Sequence, residues 1–264
     1  LNGGGRVIRG NIVVDALADD STELKLLIAN AFDRATSTLT MQNNGTFNMN
    51  GLTAGVATVI LTDGTISGGS ASLLSMENDI AVSKGTIDVA LANVDGDTVG
   101  LTKTGVGTVV LSQANTYNGL TTVSEGVLEF GVDDAVSLSS GIFLTGGGTI
   151  NTGGFDADLI ATLDISGSGT IDFNSFGTTA LSFADSSLTE WESELAIVNF
   201  TEGDTIQFGV DGNGLTATQL SEITINGEAV QIDESGFVTA VPEPATLSLL
   251  ALGGIAMLRR RKRA

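Results

Sequence analysis

The 264 residues include no cysteine, no histidine and only two prolines. Without cysteine the chain forms neither a disulfide framework nor a thiolate metal site, and compartment cannot be read from bonds that are absent. Without histidine it has no Ser-His-Asp catalysis, no HExxH zinc site and few routes to any transition metal. One tryptophan and one tyrosine offer little aromatic surface for stacking on sugar rings. Basic residues are scarce as well. Of 31 acidic and 11 basic side chains, one glutamate and five basic residues lie beyond residue 241, so the preceding body carries a net charge of about −24. Such a body repels phosphate backbones, which argues against nucleic acid as a partner.

What the chain does have is 42% hydrophobic side chains and 35 glycines, with recurrent threonine and few runs of helix formers. A chain of this length can bury a sizeable core, and this composition favours strands and tight turns over helices. The class expected is all-β.

A short phrase returns along the chain: "NNGTFNMNG" at Gly45, "TDGTISGG" at Gly64, "SKGTIDVA" at Gly85, "GVGTVVLS" at Gly107, "SEGVLEFG" at Gly126, "GGGTINTG" at Gly148 and "GSGTIDFN" at Gly169. The spacings are 19, 21, 22, 19, 22 and 21 residues. Each unit is a glycine turn, a threonine in six of seven cases, then an apolar residue that opens a strand-like alternation. A period near 20 is too short for a propeller blade or a helical pair, but it suits one coil of a solenoid. A β-sandwich is the rival, yet its strands recur every 8 to 12 residues and would not keep one phrase at twice that spacing. In a solenoid Ile66, Ile87, Val109, Leu128, Ile150 and Ile171 stack as an internal apolar ladder, with the threonines on the opposite strand face.

Residues 1–40 hold two alternating stretches, "RVIRGNIVV" and "TELKLLIAN", that read as strands, although Asp20 and Glu23 could also open a helix as a capping box. After Asn174 the phrase lapses into short strands, with Thr216 and Gln219 marking one helical turn. That region reads as a cap for the open solenoid end, with Trp191 packed inside it. The expected organisation is an N-terminal β segment (1–40), solenoid repeats (41–174), a β-rich capping region (175–240) and a C-terminal signal (241–264).

Two stretches resemble known families. "GLTKTGVGTVVLSQANTYNGLTTVSEGVLEFG", residues 100–131, resembles the autotransporter-associated β-strand repeat of bacterial surface proteins. The likeness runs over Leu101, Lys103, Gly105, Gly107, Leu111, Asn115, Tyr117, Gly119, Thr121, Thr122, Val123, Gly126 and Leu128. It implies a displayed scaffold folded as a right-handed parallel β-helix, and it implies no reaction. The closing residues, "VPEPATLSLLALGGIAMLRRRKRA", are similar to a PEP-CTERM sorting signal. Its three parts stand in order: Pro242, Glu243 and Pro244; the apolar run Ala245 to Leu258; then Arg259, Arg260, Arg261, Lys262 and Arg263.

The two resemblances together imply export in a Gram-negative-type bacterium, transient anchoring in the inner membrane through Ala245–Leu258, and processing by an exosortase. They imply a destination in the envelope or an exopolysaccharide matrix. As a helix the fourteen-residue run spans about 21 Å of a hydrocarbon core about 30 Å thick, so it engages a membrane but is a poor permanent span. The basic cluster favours the cytoplasmic side. The alternatives for this segment are a simple tail anchor and a core helix with a solvated basic end, against which "LSLLALGGIAML" shows almost no polar face. The prolines keep the stretch before the run extended and accessible.

For the body, the expectation is a non-enzymatic scaffold without cofactor or metal. The rivals are an adhesin or carbohydrate-binding β-helix and a polysaccharide-degrading enzyme. The acidic pairs Asp95/Asp97, Asp133/Asp134 and Asp156/Asp158 lie in turn-like contexts, and "NVDGDTVG" and "VDGNGL" lack the ligand spacing of an EF-hand.

Overall fold

The structure is a computed structural model, and it describes residues 8–16, 23–69, 73–94, 96–174 and 176–241. The chain winds into a parallel β-solenoid of about nine turns. The first eight coils each contribute one strand to a first face of eight strands, running from Asn11–Asp15 to Leu163–Ile165. Each coil contributes a strand to a second face that begins at Glu23–Lys25 and stacks in parallel, beyond the end of the first face, as far as Ile223–Ile225. At a strand spacing of about 4.8 Å, nine coils make a column about 43 Å tall.

Alternation along each strand sends one set of side chains inward. Leu39, Val59, Ile80, Leu101 and Ile142 are buried on the first face, and Phe47, Ile66, Ile87, Leu111, Phe130, Ile171 and Ile197 on the second. Removing each such side chain from water stabilises the column by about 1.5–3 kcal/mol. The threonines of the phrase point the other way, with Thr46 on Thr65 and Thr65 on Thr86 in register.

The apolar ladder differs from the expected one at a single step. Ile66 pairs with Ile87, but Ile87 pairs with Leu111, while Val109 lies opposite Gly85. The stack therefore slips by two residues between Gly85–Asp88 and Thr108–Leu111. Two apolar ladders result: Phe47–Ile66–Ile87–Leu111–Phe130, and Val109–Leu128–Ile150–Ile171–Ile197–Ile225. A slip of two keeps every side chain on its own face, so the core tolerates it, whereas a slip of one would turn the core outward. Gly107 consequently lies over Lys84, whose Cβ is 2.7 Å from the place a Gly107 side chain would take.

The glycines of the first three phrases stack backbone on backbone. A Cβ on Gly64 would meet the Gly45 carbonyl at 2.3 Å, and one on Gly85 would meet the Gly64 carbonyl at 2.1 Å. Both also adopt φ above +130°, open to glycine alone.

The third side of the column is not continuous. Thr53–Val56, Leu73–Met76 and Ala90–Asn93 form one three-stranded sheet, and Ala157–Ile160, Ala180–Phe183 and Thr205–Phe208 form another. Among the described residues, the fifth and sixth coils between them have no third strand.

The stack does not stop at Asn174, where the Gly-Thr phrase ends. Gly169–Asp172 pairs in parallel with Leu195–Val198, which pairs in parallel with Ile223–Ile225. Only then do the antiparallel strands Glu228–Ile232 and Val238–Ala240 close the column. The short helix Ala217–Ser221 opens with the expected capping box: Gln219 N–H donates to Thr216 Oγ1 at 3.2 Å, and Thr216 N–H donates to Gln219 Oε1 at 2.7 Å. Gln219 is buried and its Nε2 donates to the Ser186 and Thr189 carbonyls, pinning the helix to the last coils. Trp191 is buried there, its Nε1 donating to the Leu163 carbonyl at 3.1 Å and its ring set edge-on to Phe208. At the other end, Asn11–Asp15 and Glu23–Lys25 are strands of the first coil. The alternative helix start at Asp20 lies outside the described residues.

Candidate functional site

The residues of the resemblance at 100–131 gather in the fifth and sixth coils, on either side of the missing third strand. Lys103 ends the inward alternation of Leu101–Lys103, so its side chain enters the column and is fully buried. Its Nζ donates three hydrogen bonds, to the carbonyls of Thr104 at 2.9 Å, Gly105 at 2.6 Å and Glu125 at 2.9 Å. Every ammonium proton is thereby satisfied, and two successive turns are tied together. Burial pulls the Lys103 pKa below its usual value, while the nearby Glu125 charge opposes that shift.

Asn115 links coils on this side, beside the backbone bond from Thr116 N–H to the Leu91 carbonyl at 2.9 Å. Its Oδ1 accepts from the Leu91 N–H at 2.7 Å, and its Nδ2 donates to the carbonyls of Gln113 and Ala135. One side chain thus bonds the fourth, fifth and sixth coils, on the side where the described residues of the fifth and sixth coils form no third strand.

Tyr117 is fully buried, and its hydroxyl shares a 2.8 Å hydrogen bond with Thr121 Oγ1, which is 2.9 Å from Ser140 Oγ. Burial pushes the phenol pKa up to about 12, against the hydrogen bonds from its neighbours. Gly126, at φ +67°, leaves room for this arrangement: a Cβ there would meet the Gly105 and Gly107 carbonyls and the Lys103 ammonium within 2.8 Å. Gly119 and Gly148 are equally closed in, by the Val99 and Val123 backbones, and Gly169 by the Leu144 side chain. Lys103, Asn115 and Tyr117 are buried inside the column.

Of the acidic pairs expected in turns, Asp133 and Asp134 lie in a turn, whereas Asp158 lies in the strand Ala157–Ile160, and the carboxylates of Asp133, Asp134 and Asp156 accept from backbone one coil further on. Asp133 Oδ1 accepts from the Asp156 N–H at 2.9 Å, and Asp156 Oδ1 accepts from the Ala180 N–H at 2.7 Å, one coil further on. Asp134 Oδ1 accepts from the Asp158 N–H at 3.3 Å. Asp204, which sequence reasoning did not single out, accepts from the N–H groups of Thr179 and Thr201. Spacings of 23 to 24 residues between Asp133, Asp156 and Ala180 match the coil period, and could have marked this carboxylate ladder beforehand.

Among the described residues no group of three or more acidic side chains is arranged to hold a metal ion. Asp95 lies outside the described residues, and Asp97 closes a turn through its N–H to the Val94 carbonyl. A surface groove of about 340 Å³, lined by Leu159, Phe183 and Val210, includes Asp185 and Asp211. Each of these carboxylates accepts from the backbone N–H two residues on, Ser187 and Asn213 respectively.

The tail leaves the column directly from its last strand. Val241 N–H still donates to the Ala229 carbonyl at 2.7 Å, and Pro242 is the next residue. Pro242, Glu243, Pro244, the apolar run and the cluster Arg259–Arg263 lie outside the described residues. Among the described residues no helix is long and apolar enough to cross a membrane.

Comparison with known proteins gives these two segments their class. Residues 101–130 match the passenger-associated-transport-repeat family, and residues 240–263 match the PEP-CTERM protein-sorting motif. The chain is thus an exported type of β-solenoid that carries a sorting motif. Its relatives include the probable autotransporter YfaL of Escherichia coli (strain K12), 34% identical over 133 residues that cover 48% of this chain and 10% of the relative. The adhesin BmaC autotransporter of Brucella suis biovar 1 (strain 1330) is 29% identical over 207 residues, covering 67% of this chain and 6% of the relative. The chain thus spans a tenth or less of the length of these relatives. No solved structure gives a significant match.

Proposed function

We propose that this protein is a non-enzymatic structural component of the cell surface or extracellular matrix of a Gram-negative-type bacterium. The single observation that carries the reading is the sorting motif at 240–263, which begins inside the last strand of a closed solenoid. Ala245–Leu258 holds the new chain in the inner membrane with Arg259–Arg263 on the cytoplasmic side, as apolar length and charge favour. An exosortase-type enzyme cuts near Pro242–Pro244, and the acidic column passes to the envelope or to an exopolysaccharide matrix. The division of the chain into an N-terminal β segment, repeats, cap and signal belongs to this reading. So do the sorting role of Pro242, Glu243, Pro244 and the basic cluster, and the structural role of Lys103, Asn115, Tyr117 and the phrase glycines.

The scaffold role has support from chemistry: the polar groups of the matched repeat bond to one another inside the column, and the turn carboxylates bond to backbone. A second reading, an adhesin that binds a definite ligand, is favoured by the adhesin relative aligned over 67% of this chain. Incubating the mature protein with acidic and neutral polysaccharides separates the possibilities. The scaffold reading expects neither saturable retention nor cleavage. Saturable retention without cleavage would move the assignment to an adhesin, and new reducing or unsaturated ends would make the protein an enzyme.

A further inference from the structure

The last strand, Val238–Ala240, lies antiparallel on Glu228–Ile232. Val230 pairs with Ala240, Gln231 with Thr239, and Ile232 with Val238. The ladder is closed at both ends, by Asp233 N–H to the Phe237 carbonyl at 2.9 Å and by Val241 N–H to the Ala229 carbonyl at 2.7 Å. The turn before the strand is also tied down, since Phe208 N–H donates to the Gly236 carbonyl and Gln207 Nε2 to the Ser235 carbonyl. Backbone pairing therefore runs to the residue immediately before Pro242, and the sorting-motif match starts at Ala240, within the strand. The motif has no spacer between it and the folded cap.

A peptide-cutting enzyme holds its substrate extended, with the substrate's backbone groups paired to its own cleft. Upstream of the Pro-Glu-Pro stretch those backbone groups are already paired to the protein's own sheet. The prolines cannot lengthen that pairing, because Pro242 and Pro244 have no N–H to donate. We propose that Val238–Val241 is a strap: it must lift from Glu228–Ile232 before the tail can be cut, so the folded cap sets the rate of processing. The proposal rests on the sorting function above.

The strap is built to open alone. Only Val238 of its three strand residues is buried, while Thr239 and Ala240 are exposed. An end segment with few buried contacts opens locally at far lower cost than the column unfolds, and cutting of such a segment follows the population of the open form. A chain whose cap is still unfolded is cut quickly, and a chain with a closed cap stays at the membrane longer.

The test uses the full chain in its producing bacterium. Gln231→Cys with Thr239→Cys puts two thiols directly opposite one another on the exposed face. The bonds at Val241 and Asp233 make this a hydrogen-bonded pair, with Cα atoms about 5.5 Å apart, within the range of a disulfide. These 264 residues contain no other cysteine to compete. Pulse-chase measurement of tail loss should show the oxidised variant processed at least about tenfold more slowly than the wild type, with a reductant restoring the rate. Inserting a flexible Gly-Ser spacer of about ten residues between Val241 and Pro242 should speed processing and abolish the effect of the lock. Equal rates for locked and reduced chains would overturn the strap, as would a spacer chain still slowed by the lock. Rapid cutting of the locked spacer chain shows that the crosslinked protein folds and is exported. A wild-type chain that keeps its tail is a different result, and overturns the sorting function itself.

Discussion

Two kinds of coil make up this column. In the second to fourth and seventh to ninth coils a third strand completes the wall, and backbone hydrogen bonds hold each rung to the next. Among the described residues the fifth and sixth coils have no third strand, the second face has just slipped by two residues, and buried side chains reinforce the two faces that stay paired. Lys103, Asn115 and Tyr117 add buried polar bonds there to the backbone ladders. The difference teaches where side-chain identity enters the architecture: the segment 101–130 carries buried polar bonds that depend on particular residues, whereas in the other coils alternation and backbone pairing close the wall.

The contrast is open to mutation, with effects read as shifts in urea unfolding followed by Trp191 fluorescence. Lys103→Met keeps an apolar stem but strips three carbonyls of their donor, and should cost about 3–4 kcal/mol. Gly126→Ala places a Cβ against two carbonyls and the ammonium at a left-handed φ, with an expected loss of about 2–3 kcal/mol. Asn115→Ala should cost about 2 kcal/mol, because the Leu91 N–H and the Ala135 carbonyl both lose their partner. Since Trp191 reports only the last coils, the Asn115 variant should also separate the fluorescence transition from the one seen by circular dichroism. A single coincident transition in that variant would mean that the two paired faces, Leu101–Lys103 on Thr121–Val123 and Thr108–Leu111 on Val127–Phe130, keep the column cooperative without Asn115.

Tyr117→Phe should lose about 1 kcal/mol at neutral pH. The wild type makes a sharper test. The folded pKa of Tyr117 is raised from 10.0 to about 12, so its contribution is whole below pH 10 and is lost as pH climbs through about 12. Phenolate absorbance reads this group alone, because the chain has a single tyrosine. Ionisation in the native state near pH 10 would contradict a buried phenol. At the small end, Thr65→Ala in a coil with a third strand should change stability by no more than about 0.5 kcal/mol. A loss comparable to that of Asn115→Ala would erase the distinction between the two kinds of coil.

Much of the column was legible because its information is local and periodic. The Gly-Thr phrase marked the second-face strands, the alternation after it marked the inward residues, and the Thr216/Gln219 pair marked the cap helix. The two-residue slip was hidden, because a change of register by an even number leaves the alternation of Thr108 to Leu111 untouched. The coils beyond Asn174 were hidden for another reason. Ile171, Ile197 and Ile225 stand 26 and 28 residues apart, so longer turns and the cap helix stretch the period and the phrase no longer repeats. Buried roles for Lys103 and Asn115 followed from no pattern of charge or hydropathy. Their register on the column decides them.

The most direct test of the whole account is the mature C-terminus, determined by intact-mass spectrometry on protein from the native producer with cell fractions kept apart. A sorted surface scaffold predicts envelope or medium protein that ends near Pro242–Pro244 and has lost the apolar run and the Arg259–Arg263 cluster. An intact tail confined to the inner membrane would contradict it and make the segment a plain anchor.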